Sequence, residues 1–317
     1  LRADLADDLL RIRREQTRVD DLAREQSLDE LLVGLRQEVR LLVAHAGEAP
    51  TERLPEMARP VGLERRQQLR EHLWANMHHW VKDFNMDGFR CDVADMVPLD
   101  FWEEARKRLD AVRPDLVILA EGQRAADQVK AFDIDYGFSW YSAIFSIFHK
   151  GMPASSLQDI WKKQNAERPR GARFMRYTEN HDLVNDMQHS EVICGERGSA
   201  AISVVNFTLD GVPMLYNGQE IGDTSQQSIY AQWPVRWETA CLPKMKSTLD
   251  FYRKLCRLRR DEQALANGEV VWLENDQPDS IISFIRRVGN ESIISAVNLS
   301  NRKVKVQVTL PEGQTTS

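Results

Sequence analysis

The stretch that decides the fold is "GFRCDV", Gly88 to Val93. Its apolar residues alternate with Arg90 and Asp92, a period of two that predicts a β-strand with charges on one face. A charged group that loses water needs a partner, and these two opposite charges compensate each other. A helical pattern, "LERRQQLREHLWANMHHWVKDF" at residues 63–84, comes shortly before it, so a helix followed by a strand is predicted here.

The alternation of helix and strand continues along the chain and predicts a parallel β/α architecture. Further strands are predicted at "LVILAE" (residues 116–121), "AFDIDYGF" (131–138), "RFMRYTE" (173–179) and "VPMLYN" (212–217). Helices are predicted at residues 99–112, 141–151, 155–164, 195–211 and 243–260. From Gly268 onward, strand patterns at "EVVWLE", "SIISFIRR", "ESIISAVNLS" and "KVKVQVTL" predict a small antiparallel domain.

Residues 1–60 differ in composition from the rest, since the first aromatic residue is Trp74 and the first lysine is Lys82. Leucines at helical spacing and the capping box "SLDE" predict two helices, followed by a linker with three prolines in residues 48–62. Two interpretations of these helices stay open: a hairpin for self-association or regulation, and an amphipathic pair that covers an apolar surface. The predicted domains are therefore a helical segment (1–60), a β/α region (61–267) and a β domain (268–317).

Charge and composition exclude several classes of partner. The formal net charge of −6 is spread along the 317 residues, which argues against nucleic-acid binding. No run of about 18 apolar residues and no basic-then-apolar amino terminus is present, so neither a membrane partner nor a secretion signal is predicted. The compartment is otherwise undetermined, and the cytoplasm is favoured. The four cysteines lack a CxxC spacing and are predicted to be free thiols.

Acidic residues follow three of the predicted strands. Asp92 closes the first, Glu121 the second, and Asp182 follows the fourth in "TENHD". Strand ends of a parallel β/α fold converge on one face, so these acids are expected to lie together. Two carboxylates on either side of an anomeric carbon are the arrangement that cleaves glycosidic bonds with retention. Arg90 is expected to keep Asp92 ionised, while Glu121, after the apolar "LVILA", is expected to hold its proton.

Four motifs resemble those of the α-amylase superfamily, the retaining α-glucan hydrolases and transglycosylases built on a TIM barrel. "GFRCDVA", "LAEG" and "ENHD" are similar to its second, third and fourth signature regions, and "GVPMLYNGQEIG" to its eighth-strand motif. The similarity spans residues 69–310, roughly. It implies an α-glucan oligosaccharide or polysaccharide as the substrate.

The resemblance also implies roles for individual residues. Asp92 would be the nucleophile, Glu121 the general acid and base, and Asp182 the third acid, which holds sugar hydroxyls. Arg90 would orient Asp92, and His181 would hydrogen-bond the same sugar. These five residues are the predicted site.

The family's first signature region, an Asp followed by an Asn-His pair, is not found in this sequence. The first family-like strand corresponds to the fourth of the barrel. The predicted fold class is therefore α/β, a partial TIM (β/α)8-type barrel with an N-terminal helical segment and a small C-terminal antiparallel β domain. No cofactor is predicted, because the absent Asn would be the ligand of the family's structural calcium. A fragment or fusion and an unrelated gene start both remain as accounts of residues 1–60.

Two alternatives to a glycosidase stay open: a catalytically inactive fragment that binds glycans or has a structural role, and a barrel enzyme whose three acids hold magnesium. Arg90 and His181 beside the acids argue against the metal. The histidines lack a metal-ligand spacing and are interpreted as surface residues, His189 among them. Aromatic residues that could stack on sugar rings are Trp140, Tyr141, Tyr216, Tyr230, Trp233 and Trp237.

Overall fold

The computed structural model describes residues 63–311. The two helices predicted within residues 1–60 and the linker at 48–62 lie outside the described residues, and the division into three domains stays a prediction. By its contacts the chain divides into Leu1–Met77 and His78–Ser317, and the second unit contains both sheets and all the predicted site residues. Within the described range, no helix is long and apolar enough to cross a bilayer.

Helices and strands alternate as the sequence predicts. The helices are α1 Leu63–Phe84, α2 Leu99–Asp110, α3 Asp127–Lys130, α4 Phe138–Lys150, α5 Ser156–Ala166, α6 His181–Asn185, α7 Ser190–Thr208, α8 Pro243–Asp261 and α9 Gln263–Asn267. The strands are β1 Gly88–Cys91, β2 Val117–Ala120, β3 Ile134–Tyr136, β4 Arg173–Arg176, β5 Val212–Pro213, β6 Glu269–Trp272, β7 Ile281–Val288 and β8 Glu291–Asn298. Short 3-10 turns lie at Ala94–Met96, Gln219–Ile221 and Trp237–Cys241.

Strands β1 to β5 form one parallel sheet in the order of the sequence. Helical crossovers connect consecutive parallel strands, as in a β/α barrel. Within the described residues, β1 pairs only with β2 and β5 only with β4, so both outer strands have an open edge. The expectation of a partial TIM-type barrel is thereby confirmed.

Strands β6, β7 and β8 form a separate antiparallel sheet, as predicted for the end of the chain. The fourth predicted strand, "KVKVQVTL", does not join it. That segment has a single bridge between Asn275 and Val308, and the amide of Thr309 donates to the carbonyl of Glu274 at 2.9 Å. It runs beside the connection between β6 and β7, where no regular strand is available to extend a ladder.

One apolar core joins the small sheet to the helices. Trp140 of α4, Leu157 of α5 and Ile202 of α7 pack in the same cluster as Phe284 of β7 and Val297 of β8. All of these side chains are buried. The small sheet therefore closes the core of the helical layer and is not a separate apolar body.

Two arginines satisfy the carbonyl groups at the carboxyl end of α7. Arg286 of β7 donates to the carbonyls of Thr208 at 3.0 Å and Gly268 at 2.8 Å. Arg259 of α8 donates to the carbonyls of Leu209 and Gly211, at 2.5 and 2.7 Å. Cations at a helix carboxyl terminus are favourable because that end carries a partial negative charge. Burial lowers the pKa of Arg259 to about 10.

Candidate active site

The carboxyl ends of β1 and β2 bring two of the predicted acids together. In the parallel register, Cys91 of β1 pairs with Ala120 of β2, so the next residues, Asp92 and Glu121, are neighbours. The amide of Glu121 donates to the carbonyl of Cys91 at 2.9 Å, and the amide of Ala94 donates to the carbonyl of Glu121 at 3.0 Å. The backbone is thus hydrogen-bonded up to and past both acids.

Arg90 lies between the two carboxylates. Its Nη1 donates to Oδ1 of Asp92, and its Nη2 lies 3.1 Å from Oε1 of Glu121. The guanidinium also lies over the ring of Tyr136, 5.6 Å from its centre. Burial alone would lower the pKa of Arg90, but Tyr136, Asp92 and Glu121 raise it well above its ordinary value. Arg90 is therefore a fixed cation shared by both acids.

The surroundings of Glu121 differ from the expectation of an apolar pocket. Its Oε1 faces Arg90, and its Oε2 accepts a hydrogen bond from the amide of Val93 at 2.8 Å. The side chain is 17% exposed, against 75% for Asp92. The apolar residues before Glu121 belong to β2 and lie behind it, while the carboxyl group points toward donors at the strand end.

A strained backbone at Val93 aims its amide at Glu121. Val93 has a φ of 45° and a ψ of 42°, the left-handed conformation that a β-branched residue seldom adopts. The turn ends β1 and starts a 3-10 turn at Ala94–Met96. Strain of this kind persists where surrounding contacts hold it, and such residues cluster at functional sites.

The third acid, Asp182, lies in the first turn of α6. Asn180 caps this helix, because its Oδ1 accepts a hydrogen bond from the amide of Leu183 at 2.9 Å. Nε2 of His181 lies 3.5 Å from Oδ1 of Asp182, and both side chains are about half exposed. Asn180 thus fixes the start of the helix, while His181 and Asp182 face solvent.

Tyr177 directly follows β4 and is buried against other aromatic rings. Burial raises the pKa of the Tyr177 phenol well above its usual range, and the charges of Glu121 and Asp182 are among the further causes. Its ring lies 5.6 Å from that of Tyr136 and stacks on that of Tyr141 at 5.8 Å. Tyr136 thus lies against the guanidinium of Arg90 and packs on Tyr177, contacts that the sequence motifs do not reveal.

His189 is a buried residue, which corrects its interpretation as a surface histidine. It is 0% exposed, its Nδ1 lies 3.3 Å from Oε2 of Glu179, and its Nε2 lies 3.0 Å from the carbonyl oxygen of Ser225. Burial alone would lower the pKa of His189, but Glu179 and the Ser225 carbonyl raise it on balance. Glu179 directly precedes Asn180, so the pair is joined in sequence to the segment that carries His181 and Asp182.

The six aromatic candidates separate into two groups. Trp140 is fully buried, with its indole donating to Oδ1 of Asn206 at 2.9 Å, so it belongs to the core. Tyr141 is half-buried, and its hydroxyl donates to Oε1 of Gln188 at 3.1 Å. Tyr216 is also partly buried. The exposed members are Tyr230, Trp233 and Trp237.

The magnesium alternative finds no support in the geometry. Asp92 and Glu121 already share one cation, the guanidinium of Arg90. Over residues 63–311, no group of three or more His, Cys, Asp or Glu side chains is arranged to hold a metal ion. A divalent cation beside Arg90 would be repelled by it.

The sheet and the acids at its strand ends agree with a known family. The family model described as "Alpha amylase, catalytic domain" matches residues 63–246, more than half of the chain. The chain belongs to the α-amylase family. This is a family of glycoside hydrolases, and the α-amylase motifs identified in the sequence lie within the matched range.

Curated members of the α-amylase family are about a quarter identical to this chain over the residues that align. A cyclomaltodextrinase from Geobacillus thermopakistaniensis is 26% identical over 237 residues, which are 72% of this chain and 39% of the relative. The alpha-amylase MalA of Haloarcula japonica is 28% identical over 252 residues, 77% of this chain and 35% of the relative. The chain therefore spans less than half of the length of these relatives.

A solved structure extends the similarity to three dimensions. The maltogenic alpha-amylase AmyB from Thermotoga neapolitana is 32% identical, with a TM-score of 0.67. The match covers 76% of this chain and 55% of that one. The partial barrel is thus the α-amylase fold in the portion that the two chains share.

Proposed function

We propose that this chain supplies the catalytic acids of a retaining α-glucan glycosidase that acts on α-1,4-linked glucose chains. The observation that supports the proposal best is the position of Arg90, whose guanidinium contacts both Asp92 and Glu121 at adjacent strand ends. The relatives are named cyclomaltodextrinase, alpha-amylase and maltogenic alpha-amylase, which are enzymes of this chemistry. The proposal covers hydrolysis and transfer, which differ only in the acceptor.

The first step is a displacement at the anomeric carbon. A carboxylate oxygen of Asp92 forms a bond to that carbon as the bond to the glycosidic oxygen breaks, and Glu121 gives its proton to the departing oxygen. Asp92 suits this role because its side chain is exposed to an incoming sugar and held by its contact with Arg90. One contact of Glu121, to Arg90 or to the Val93 amide, must open when the glycosidic oxygen arrives.

The second step regenerates the acids. Glu121, now a carboxylate, takes a proton from water, and the water oxygen attacks the anomeric carbon and releases Asp92. The positive charge that develops on the sugar is stabilised by the carboxylates around it. Asp182 and His181 are proposed to hold the hydroxyl groups of the same sugar, since both side chains are about half exposed at the start of α6, after the carboxyl end of β4.

The proposal predicts the effect of Asp92→Asn on the intact chain. The amide keeps the shape of the side chain but cannot form the glycosyl-enzyme, so turnover of maltoheptaose should fall at least about a thousandfold. Product release is followed by chromatography, and the anomer first formed is read by proton NMR. A fluorinated glycosyl fluoride that slows the second step should label the peptide containing Asp92.

Asp115→Asn is the matched control, because the side chain of Asp115 is also 75% exposed and also paired with an arginine, Arg113. It should leave turnover unchanged, and circular dichroism should show that both variants fold. A rate in Asp92→Asn equal to that of the unsubstituted chain would refute the role of Asp92.

A second candidate, a glycan-binding module without turnover, is favoured by the open edge of β1. Within the described residues that edge has no partner strand, and Met86, Val93 and Met96, which flank β1 in the sequence, are exposed. The same experiment separates the two candidates. Binding of maltoheptaose without product at any enzyme concentration would support the module.

A further inference from the structure

Asp95 is an exposed acid three residues after Asp92, yet both of its carboxylate oxygens are bound to backbone amides. Its Oδ2 accepts a hydrogen bond from the amide of Gln123 at 2.9 Å, and its Oδ1 accepts one from the amide of Arg124 at 3.2 Å. These amides belong to the second and third residues after Glu121. Hydrogen bonds to a charged acceptor are stronger than those between neutral groups. Asp95 therefore joins the turn after β2 to the turn after β1.

Gly122 leaves the space that this carboxylate occupies. A Cβ added to Gly122 would overlap Oδ1 of Asp95 and lie 2.8 Å from its Cγ, closer than Cβ atoms approach other groups in proteins. Gly122 is itself buried. Asp95 thus packs directly on the residue that follows Glu121.

Arg124 forms contacts in the opposite direction. Its Nη1 donates to the carbonyl of Asp95 at 3.3 Å, and its Nη2 donates to the carbonyl of Val97 at 3.4 Å. Its Nε donates to Oδ1 of the fully buried Asp127 at 2.8 Å. The two turns are therefore hydrogen-bonded in both directions and attached to the protein interior through Asp127.

Four consecutive residues after β1 carry one catalytic acid and hold the other. Asp92 is the proposed nucleophile, and the next two residues bind Glu121: the amide of Val93 donates to its Oε2 at 2.8 Å, and the amide of Ala94 donates to its carbonyl at 3.0 Å. Asp95 then holds the backbone beyond Glu121. Retention requires the two carboxyl groups to lie about 5 to 5.5 Å apart. The contacts between the two turns therefore set the separation of the two acids.

We propose that Asp95 is a positioning residue whose carboxylate fixes the turn after Glu121, so that Glu121 reaches the glycosidic oxygen. This inference rests on the proposed function, because it concerns the proton that Glu121 gives to the leaving group. A catalytic group displaced by about 1 Å can cost on the order of a hundredfold in rate. The effect of Asp95 should thus be confined to substrates whose leaving group needs that proton.

The test compares two substrates of the full chain that differ in this need. In maltoheptaose the leaving oxygen takes a proton from Glu121 as its bond to the anomeric carbon breaks. In α-maltotriosyl fluoride the anomeric carbon forms its bond to Asp92 while fluoride departs as an anion, without a proton. The value of kcat/KM is used because it reports transition-state stabilisation relative to free enzyme and substrate, before the glycosyl-enzyme is hydrolysed.

Asp95→Ala should lower kcat/KM for maltoheptaose by about 100-fold and for the fluoride by less than about threefold. Asp95→Asn keeps one acceptor oxygen and should lose about tenfold on maltoheptaose. The ratio of the two kcat/KM values does not depend on the fraction of the chain that is folded. Partial unfolding of a variant would therefore leave this ratio unchanged.

Asp276→Ala is the matched control. Asp276 is also exposed, and its Oδ1 accepts a hydrogen bond from the amide of Gln307 at 2.8 Å. This contact belongs to the connection between β6 and β7 of the small sheet. Its removal should leave both kcat/KM values unchanged.

Gly122→Ala tests the same contact from the other turn. The added Cβ should displace the Asp95 carboxylate and lower the maltoheptaose value selectively. Because both substitutions act on one contact, the double variant should lose no more than about twofold beyond Asp95→Ala.

Equal losses on the two substrates in Asp95→Ala, or no loss on maltoheptaose, would overturn the positioning role and leave the proposed function standing. Additive losses in the double variant would also contradict it, since Gly122 and Asp95 would then act separately. No turnover of either substrate by the unsubstituted chain would refute the proposed function and the positioning role together.

Discussion

At the scale of single residues, Arg90 explains why charges occur in the first strand. Two carboxylates at adjacent strand ends would repel each other. A guanidinium has donors on separate nitrogens, so Arg90 holds Asp92 and Glu121 at once. A lysine in this position has one nitrogen and could not reproduce this arrangement.

A second group of acids lies inside the protein. Asp127 and Asp135 are both 0% exposed, and Oδ2 of Asp127 and Oδ1 of Asp135 have no hydrogen-bond partner among residues 63–311. Arg124 pairs with Asp127 at 2.6 Å and Arg168 with Asp135 at 3.3 Å. Burial, opposed by Arg168 and reinforced by Asp127 and Asp95, raises the pKa of Asp135 to about 7.

This shift predicts that Asp135→Asn becomes more stabilising as pH rises. In the unfolded chain an Asp titrates near ~4, whereas folded Asp135 resists ionisation up to about 7. The free-energy cost of burying the charged carboxylate is thus absent below pH ~4, grows between pH ~4 and about 7, and is complete above about 7. Asn carries no charge and has no such cost. The free energy of unfolding of Asp135→Asn, relative to the unsubstituted protein, should therefore rise by on the order of 3 kcal/mol from pH 4 to 8.

The measurement is urea unfolding at several pH values. Asp115→Asn is the control, because Asp115 is exposed. Its difference in free energy of unfolding from the unsubstituted protein should change much less with pH. A difference for Asp135→Asn that does not change with pH would contradict the prediction.

Sequence motifs identify acids more readily than the groups behind them. Asp92, Glu121 and Asp182 stand at strand or loop positions that the alternation of helix and strand places on one face. Tyr136 and Tyr177 are ordinary strand-end aromatics in the sequence, and their role depends on register. His189 has no spacing that relates it to Glu179, because their contact is made by a turn between β4 and α7.

At the scale of elements, α7 shows what a pattern cannot locate. A helix is predicted from residue 195, but the observed helix spans Ser190–Thr208 and is broken at Gly195, which has a φ of 71° and a ψ of 162°. The apolar periodicity starts after the break, so the pattern detects only the second part. Strand β5 is also shorter than predicted, since it spans only Val212–Pro213.

Gly195→Ala should destabilise the protein through this backbone conformation. The region near φ 71° and ψ 162° is essentially restricted to glycine, so a side chain should cost ~2–3 kcal/mol. No atom lies within 4 Å of the added Cβ, so the cost comes from the backbone and not from a clash. Thermal and urea unfolding measure the loss.

Gly151→Ala is the matched control. Gly151 caps α4 with a φ of 67° and a ψ of 26°, and its added Cβ also meets nothing within 4 Å. This left-handed helical region is less costly for alanine, about 1 kcal/mol. Equal losses for the two variants would show that the break in α7 relaxes when Gly195 is replaced.

At the scale of the molecule, the shared core makes the small sheet necessary for the helical layer. Phe284 is 0% exposed and packs in the cluster that contains Trp140 and Ile202. Phe284→Ala should therefore lower the free energy of unfolding by ~3–5 kcal/mol, in one cooperative transition. Urea unfolding followed by circular dichroism and by tryptophan fluorescence should give coincident curves.

Val288→Ala on the same strand is the control, because Val288 is exposed and its loss should cost below about 1 kcal/mol. Two separate transitions in Phe284→Ala, with the helices retained in the second, would contradict the dependence of the helical layer on the sheet.

The antiparallel strands themselves were predictable from their alternation. Their packing on α4, α5 and α7 was not, since no local pattern encodes it.

The cations that end α7 also limit how this architecture can be recombined. Arg286 comes from the small sheet, is almost completely buried, and serves carbonyls on both sides of the joint, at Thr208 and Gly268. In a chimaera that receives its terminal sheet from another protein, those buried carbonyl oxygens would lack a hydrogen-bond donor unless the new sheet has an arginine at the position of Arg286. Whether such a chimaera folds should therefore depend more on the presence of that arginine than on the overall sequence identity of the donor.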